Sequence, residues 1–516
     1  MRKGLLIALF VISTCFGFSQ QVETSRYEVT RWGKDQDCHF ESFQEQGGMM
    51  VFETEKTDED KNRLWNFVAL DSSLYETRSD LIPLPQKMEF YDSKSSSQWA
   101  VFVFLSEKKQ RSDSIGIMVV TYHRPTKEFS TYSDRLPAKS SLMSMALLDN
   151  SLMLAVNLRT GNGFLVHYDL GVSRERTITP NINNDFVLFQ LDADPKEDVF
   201  VLAAREYVDK RYKASSFFVF SKEGITLQSH RFENGENAGL GRMCFSFDES
   251  RHLVVYATLE RETNRKVDVE GVTEDFSRIA VGVTWVKFGA QGNQVKTYLF
   301  KNFPEIDKAL TASDRVRVRE EQLKMKQGKK TEQGEIAFQF LAPRLVDYGD
   351  RQVFVAEAFR PIFHTETRMD FGYYGTYPVY YTIFDGYDFF SEILMTFDAE
   401  GELKWYTSVR FENELCEKLF SHAVEAVCYD ELVVASPSRN TLRYEVFDRD
   451  GALLLDQQTV KLDFMYRADI FEDEYWVGIR PWYGSRFLVH GCQIIQNGTR
   501  RVTRRTVDYV QKVQFD

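Results

Sequence analysis

The residues with most to offer chemically lie in one stretch, 360–390, RPIFHTETRMDFGYYGTYPVYYTIFDGYDFF. Tyr373, Tyr374, Tyr377, Tyr380, Tyr381 and Tyr387 stand there with Phe371, Phe384, Phe389 and Phe390. A tyrosine gives a large rigid contact face and a hydroxyl at modest entropic cost, so this composition suits docking to a protein or stacking on sugar rings. Gly372, Gly375 and Gly386 read the stretch as looped. The binding candidates are Tyr373, Tyr374, Tyr377, Tyr380 and Tyr381; the competing reading folds these rings back over the core.

Other chemistry is thinly supplied. Asp192, Asp194 and Asp198 in DADPKED place oxygen ligands as a calcium loop would, without the glycine and distal glutamate of an EF-hand, and a plain hairpin turn is the stronger reading. The histidines do not cluster, and neither H-E-x-x-H nor G-x-S-x-G occurs. No catalytic residue, metal site or cofactor is assigned. Beyond Cys15, five cysteines at irregular spacing do not make a disulfide framework and read as small buried side chains. Arg500, Arg501, Arg504 and Arg505 form a basic patch that reads as protection of an exposed last strand.

The elements that must carry these residues are strands. LMTFDAEGELKWYTSVRF (394–411) is a hairpin around a Gly-closed turn, and its Phe-x-x-x-Gly pattern recurs at Phe220/Gly224, Phe288/Gly292 and Phe447/Gly451. A second pattern, a short apolar strand ending near Asp and followed by an apolar run, recurs at Asp92, Asp149, Asp192, Asp248, Asp347, Asp430 and Asp473. Inner and outer hairpins together give units of four antiparallel strands. An eighth unit at the front, 49–81, shows three strands and lacks one, to be supplied by residues 26–32 or 507–515. The expected fold is all-β, a single β-propeller over 20–516 with eight four-stranded blades, seven being the alternative. Insertions interrupt it at 303–336, where Ser313–Met325 reads as a short helix, and at 360–390.

Residues 1–19 read as a signal peptide, with Arg2 and Lys3 before an apolar run and cleavage after Ser19 or Gln20. Cys15 offers a weak lipidation alternative. No later run is long enough to span a membrane. A net charge of −12 excludes a nucleic-acid tracking surface. The hairpin is similar to the Asp box of sialidase-type propellers, but its Asp-to-Gly spacing is one residue too long. The signal segment ending in GFSQQ, the aromatic-rich strands, the FDAEGELKW hairpin and YYGTYPVYYTIFDGYDFF together resemble uncharacterised secreted β-propeller proteins of the Bacteroidota. That resemblance implies a Gram-negative envelope location, periplasmic or outer-membrane-associated, and carries over no catalytic residue. The expected function is a non-enzymatic binding or scaffold role towards an envelope protein or glycan. The rival is a carbohydrate-active enzyme or lectin using the central depression.

Overall fold

A computed structural model describes residues 24–515 apart from 34–35, 37, 107–113, 160, 173, 236–237, 263–277, 307–308, 310–337, 373–374, 417–418 and 498–502. The strands pair into eight four-stranded antiparallel sheets. In chain order these blades are Cys38–Leu84, Met88–Pro137, Ser140–Ile178, Asp185–Glu233, Ala238–Leu299, Gln339–Cys416, Val424–Lys461 and Asp469–Gln514, the last completed by Thr24–Thr30. The first strands of successive blades lie side by side around the axis. This is the eight-bladed propeller that the repeated hairpins predict. The signal and lipidation readings and the helix expected at 313–325 lie outside the described residues.

Each blade buries both faces against its neighbours, which is why its central strands are continuous apolar runs such as Val199–Ala204. The outer hairpins lock adjacent blades. At the turn of the 394–411 hairpin Asp398 Oδ1 accepts the N–H groups of Glu400 and Glu402. Gly401 takes φ +75° and lies flat on Trp285 of the preceding blade, where a Cβ would come within 2.3 Å of the ring. Gly451 (φ +83°) repeats this on Trp405, whose indole donates to Arg449 O at 2.9 Å. The glycine of the pattern therefore serves close approach as well as the turn.

The innermost strands carry a β-bulge in six blades, at Phe90/Asp92, Leu142/Ser144, Leu188/Gln190, Leu240/Met243, Leu341/Arg344 and Phe471/Asp473. A bulge re-aims the side chains that follow it. Here it turns polar groups onto the next blade: Ser144 donates to Leu191 O, Gln190 to Met243 O and Arg344 to Ala423 O.

Two local expectations are corrected. The front blade takes its missing strand from Cys38–Ser42, and the two chain ends pair with each other in the last blade, Thr24↔Val513 to Thr30↔Val507. Cys38–Ser42 is short and only Phe40 is buried, so it leaves no apolar run to read. The seventh inner hairpin does not turn at Asp473: Asp469–Pro481 is one strand, and the chain turns after it at Trp482–Ser485. Two bulges let Glu472 and Asp473 face solvent without ending the strand.

Candidate functional site

The stretch read as looped is a β arm. The second and third strands of the sixth blade, Arg351–Gly372 and Gly375–Phe397, run on past the ring and stay paired to Gly372↔Gly375. The first strand of the blade follows only to Gln339↔Phe359 and the fourth only to Tyr387↔Cys416. Beyond those points, among the described residues, the arm strands pair only with one another. The glycines suggested a loop because their backbone freedom serves the tip and the root rather than the middle: Gly375 has φ +117° and Gly386 φ +142°. At Gly386 a Cβ would sit 2.9 Å from Cys416 O, so the residue lets the fourth strand close in at the root.

The root is packed. Tyr387, Phe389, Phe359 and Phe411 are buried together, and Arg360 pairs with Asp388 at 2.9 Å. Past the bulge at Ile362/Phe363 the arm is solvated: Phe371 is 85% exposed, Tyr380 69%, Tyr377 49% and Tyr381 43%. The aromatics of 360–390 thus divide, those at the root in the core and those beyond it outside.

Strand pairing sorts the outer residues onto two faces. Phe363, Thr365, Thr367, Met369 and Phe371 share a face with Phe384, Thr382, Tyr380, Pro378 and Thr376, and this face carries no charge. His364, Glu366, Arg368 and Asp370 share the other with Ile383, Tyr381, Val379 and Tyr377. There Arg368 pairs with Glu366 at 2.8 Å and covers the Tyr381 ring, and His364 meets Asp385 at 2.5 Å. The candidate tyrosines are therefore not one surface: Tyr377 and Tyr381 lie on the charged face, Tyr380 on the uncharged one, and Tyr373 and Tyr374 lie outside the described residues.

Beneath the root sits a buried ionic cluster that no local spacing reveals. Arg344 donates to Glu425 (2.6 Å), Glu392 (2.9 Å) and Glu357 (3.0 Å), and the last also accepts from His422 N at 2.7 Å. All three carboxyls are buried. The Arg344 side chain stays 25% exposed, but the carboxyls around it do not reach water, and three buried negative charges on one guanidinium favour a bound proton. Burial and the neighbouring Glu425 push the Glu392 carboxyl well up, and the pair shares a hydrogen bond. Glu425 is held low by Arg344 against the effect of burial. Elsewhere on the axis Lys94, ion-paired to Asp92 at 3.1 Å, also acts on Asp192, whose carboxyl burial raises.

Among the described residues a serine and a cysteine each lie against a histidine as a nucleophile lies against its base, and neither is armed. Ser151 Oγ lies 2.7 Å from His167 Nε2, but the hydroxyl also donates to Lys222 O at 2.6 Å. Its proton is committed to a carbonyl and burial lowers the imidazole. Cys416 Sγ lies 3.1 Å from His422 Nε2, but His422 is buried between Phe389 and Phe420 and lowered to about 4, so no imidazolium stabilises a thiolate. Asp194 caps its own turn through the N–H groups of Lys196 and Glu197, as the hairpin reading expects. Among the described residues no group of three or more His, Cys, Asp or Glu is arranged to hold a metal ion, and no helix is long and apolar enough to cross a membrane. The five described cysteines are unbridged. Arg504 and Arg505 are spent in ion pairs with Glu472, Glu28 and Asp469.

No protein-family model and no curated protein matches the chain. Similar solved structures include the β-propeller domain of the Trilobed protease from Pyrococcus furiosus, at 8% identity and TM-score 0.35, covering 81% of this chain and 98% of that one. Prolyl oligopeptidase B from Galerina marginata is 7% identical with TM-score 0.37, covering 90% of this chain and 56% of that one. The dihydro-heme d1 dehydrogenase NirN is 10% identical with TM-score 0.34, covering 85% and 78%. The chain spans about half the length of the prolyl oligopeptidases it matches. At these levels the likeness says nothing of activity.

Proposed function

We propose that the protein is a non-enzymatic binding or scaffold module of a bacterial cell envelope, exported as the secreted propellers of the Bacteroidota that it resembles. Its contact with a protein or glycan partner runs through the rim of one face, and the arm is the organ of that contact. The observation that carries this reading is the exposure of Phe371, Tyr377, Tyr380 and Tyr381 on a ribbon that leaves the ring. Exposed aromatics held on a rigid element give contact area at little ordering cost. The topology supports it. The arm leaves from the face that carries second-to-third strand and blade-to-blade connections, whereas the described turns on the opposite face are short.

The rival, a carbohydrate-active enzyme or lectin, has the raised Asp192 carboxyl on the axis in its favour. Among the described residues the carboxylate that shares Lys94 with it, Asp92, is ion-paired to that lysine, and the acids around Arg344 are spent in their own cluster. Photo-crosslinking in the native envelope separates the two. A crosslinkable residue at Tyr380 or Tyr381 is expected to trap one defined partner, and one at Leu227, exposed on an outer strand of the fourth blade, none. No adduct from either arm position, with glycan turnover lost in Asp192→Asn, would overturn the proposal.

A further inference from the structure

The outgoing strand of the arm leaves an edge open. From Phe363 onward it pairs with the returning strand on one side and, among the described residues, with no strand on the other. Proteins guard such edges with proline, lysine or a bulge, because an unpaired row of N–H and C=O groups recruits another strand. The returning strand is guarded, since Pro378 offers no N–H. Residues 363–371, FHTETRMDF, carry neither proline nor lysine, and His364, Thr365, Thr367, Arg368, Met369, Asp370 and Phe371 are exposed.

Laid antiparallel against itself about Thr367, this stretch is self-complementary. Thr367 then faces Thr367, Arg368 faces Glu366, Asp370 faces His364, Met369 faces Thr365 and Phe371 faces Phe363. Twofold symmetry makes every unlike pair twice. Opposite charges, aromatic pairs and paired threonines are the cross-strand combinations that stabilise antiparallel sheets. The register one step away, centred on Glu366, opposes two carboxylates at its centre. Geometry permits the pairing: the ring begins at Phe359, eight residues or about 26 Å from Thr367, whereas the partner's tip at Gly372 reaches only to Ile362.

We propose that two copies of this chain join edge to edge through residues 363–371 of their arms, centred on Thr367, into one four-stranded antiparallel sheet. The inference is independent of the function proposed above, because it uses the edge of the arm and leaves both faces free. It sets the uncharged faces of two arms side by side, so a partner of the paired molecule meets a sheet twice as wide. The rings, each part of a chain of net charge −12, stay apart at the two ends.

Sedimentation of the full mature chain over a range of concentrations tests it, with circular dichroism to check that each variant is folded. The wild type is expected in monomer–dimer equilibrium. Glu366→Arg and Arg368→Glu each set like charges opposite twice and should weaken the dimer about tenfold or more. The double exchange should restore it. Thr367→Cys should form an intermolecular disulfide on mild oxidation, and Thr365→Cys, which faces Met369, should not. A wild type that stays monomeric at all concentrations, including one whose edge takes up only a strand of a different protein, overturns the proposal. So does a dimer indifferent to the single exchanges, or crosslinking through residue 365 in preference to 367.

Discussion

Arg344 does the work of a keystone at the seam of the sixth and seventh blades, and its surroundings make unequal demands on its three partners. Because Glu392 holds a proton, Glu392→Gln preserves the neutral form and should leave stability within about 1 kcal/mol of wild type. Arg344→Leu strands two buried carboxylates and should cost about 3–5 kcal/mol, read in chemical unfolding. Glu445, buried in the third strand of the seventh blade, gives a pH signature. Burial, with Asp456 nearby, raises its carboxyl to about 7. The folded state therefore binds a proton that the unfolded chain releases near its ordinary value of 4.5. The stability held by that proton is complete below the unfolded value and is lost as pH rises through the folded one. Glu445→Gln should match wild type in unfolding free energy at pH 4 and exceed it at pH 8, by an amount on the order of 2–3 kcal/mol read in chemical unfolding. Equal pH profiles for the two proteins would remove Glu445 from the account.

At the scale of elements, what was legible in the chain is what local turn chemistry dictates. The FDAEG hairpin reads correctly because Asp398, Gly401 and the flanking aromatics lie within a few residues of one another. The closing pair was not legible as a pair: Thr24–Thr30 and Thr503–Gln514 are each ordinary strands, and nothing in either names a partner at the far end of the chain. The Arg344 cluster draws on four segments and leaves no spacing to read. The arm was misjudged because aromatics occupy both of its faces, which hides the period of two that marks a half-buried strand. The glycine that sequence patterning assigned to a turn carries a further load between blades. Gly401→Ala adds a Cβ 2.3 Å from Trp285 at a positive φ. It should destabilise the protein by about 2–4 kcal/mol, seen as a lowered melting temperature. A substitution without effect would show that blade contacts tolerate a shift at this point.

The whole molecule is a ring whose packed core and whose exposed aromatic arm are different parts. The ring is closed by chain-end pairing, where Arg31 reaches Asp508 at 2.7 Å and Arg26 lies on the Tyr509 ring at 3.9 Å. It is held between blades by apolar clusters that continue from each sheet to the next. The arm adds little beyond Ile362 to that core, since most of its side chains there face water. Folding and the proposed docking are therefore carried by different residues. Replacing residues 362–385 with a two-residue turn, and measuring thermal unfolding and partner crosslinking on the same preparations, tests this separation. The armless ring should melt within about 3 °C of the full chain and lose the crosslinked partner, monitored from a ring position beside the arm root such as Leu415. A ring that unfolds without its arm, or a partner still trapped at full yield, contradicts this separation.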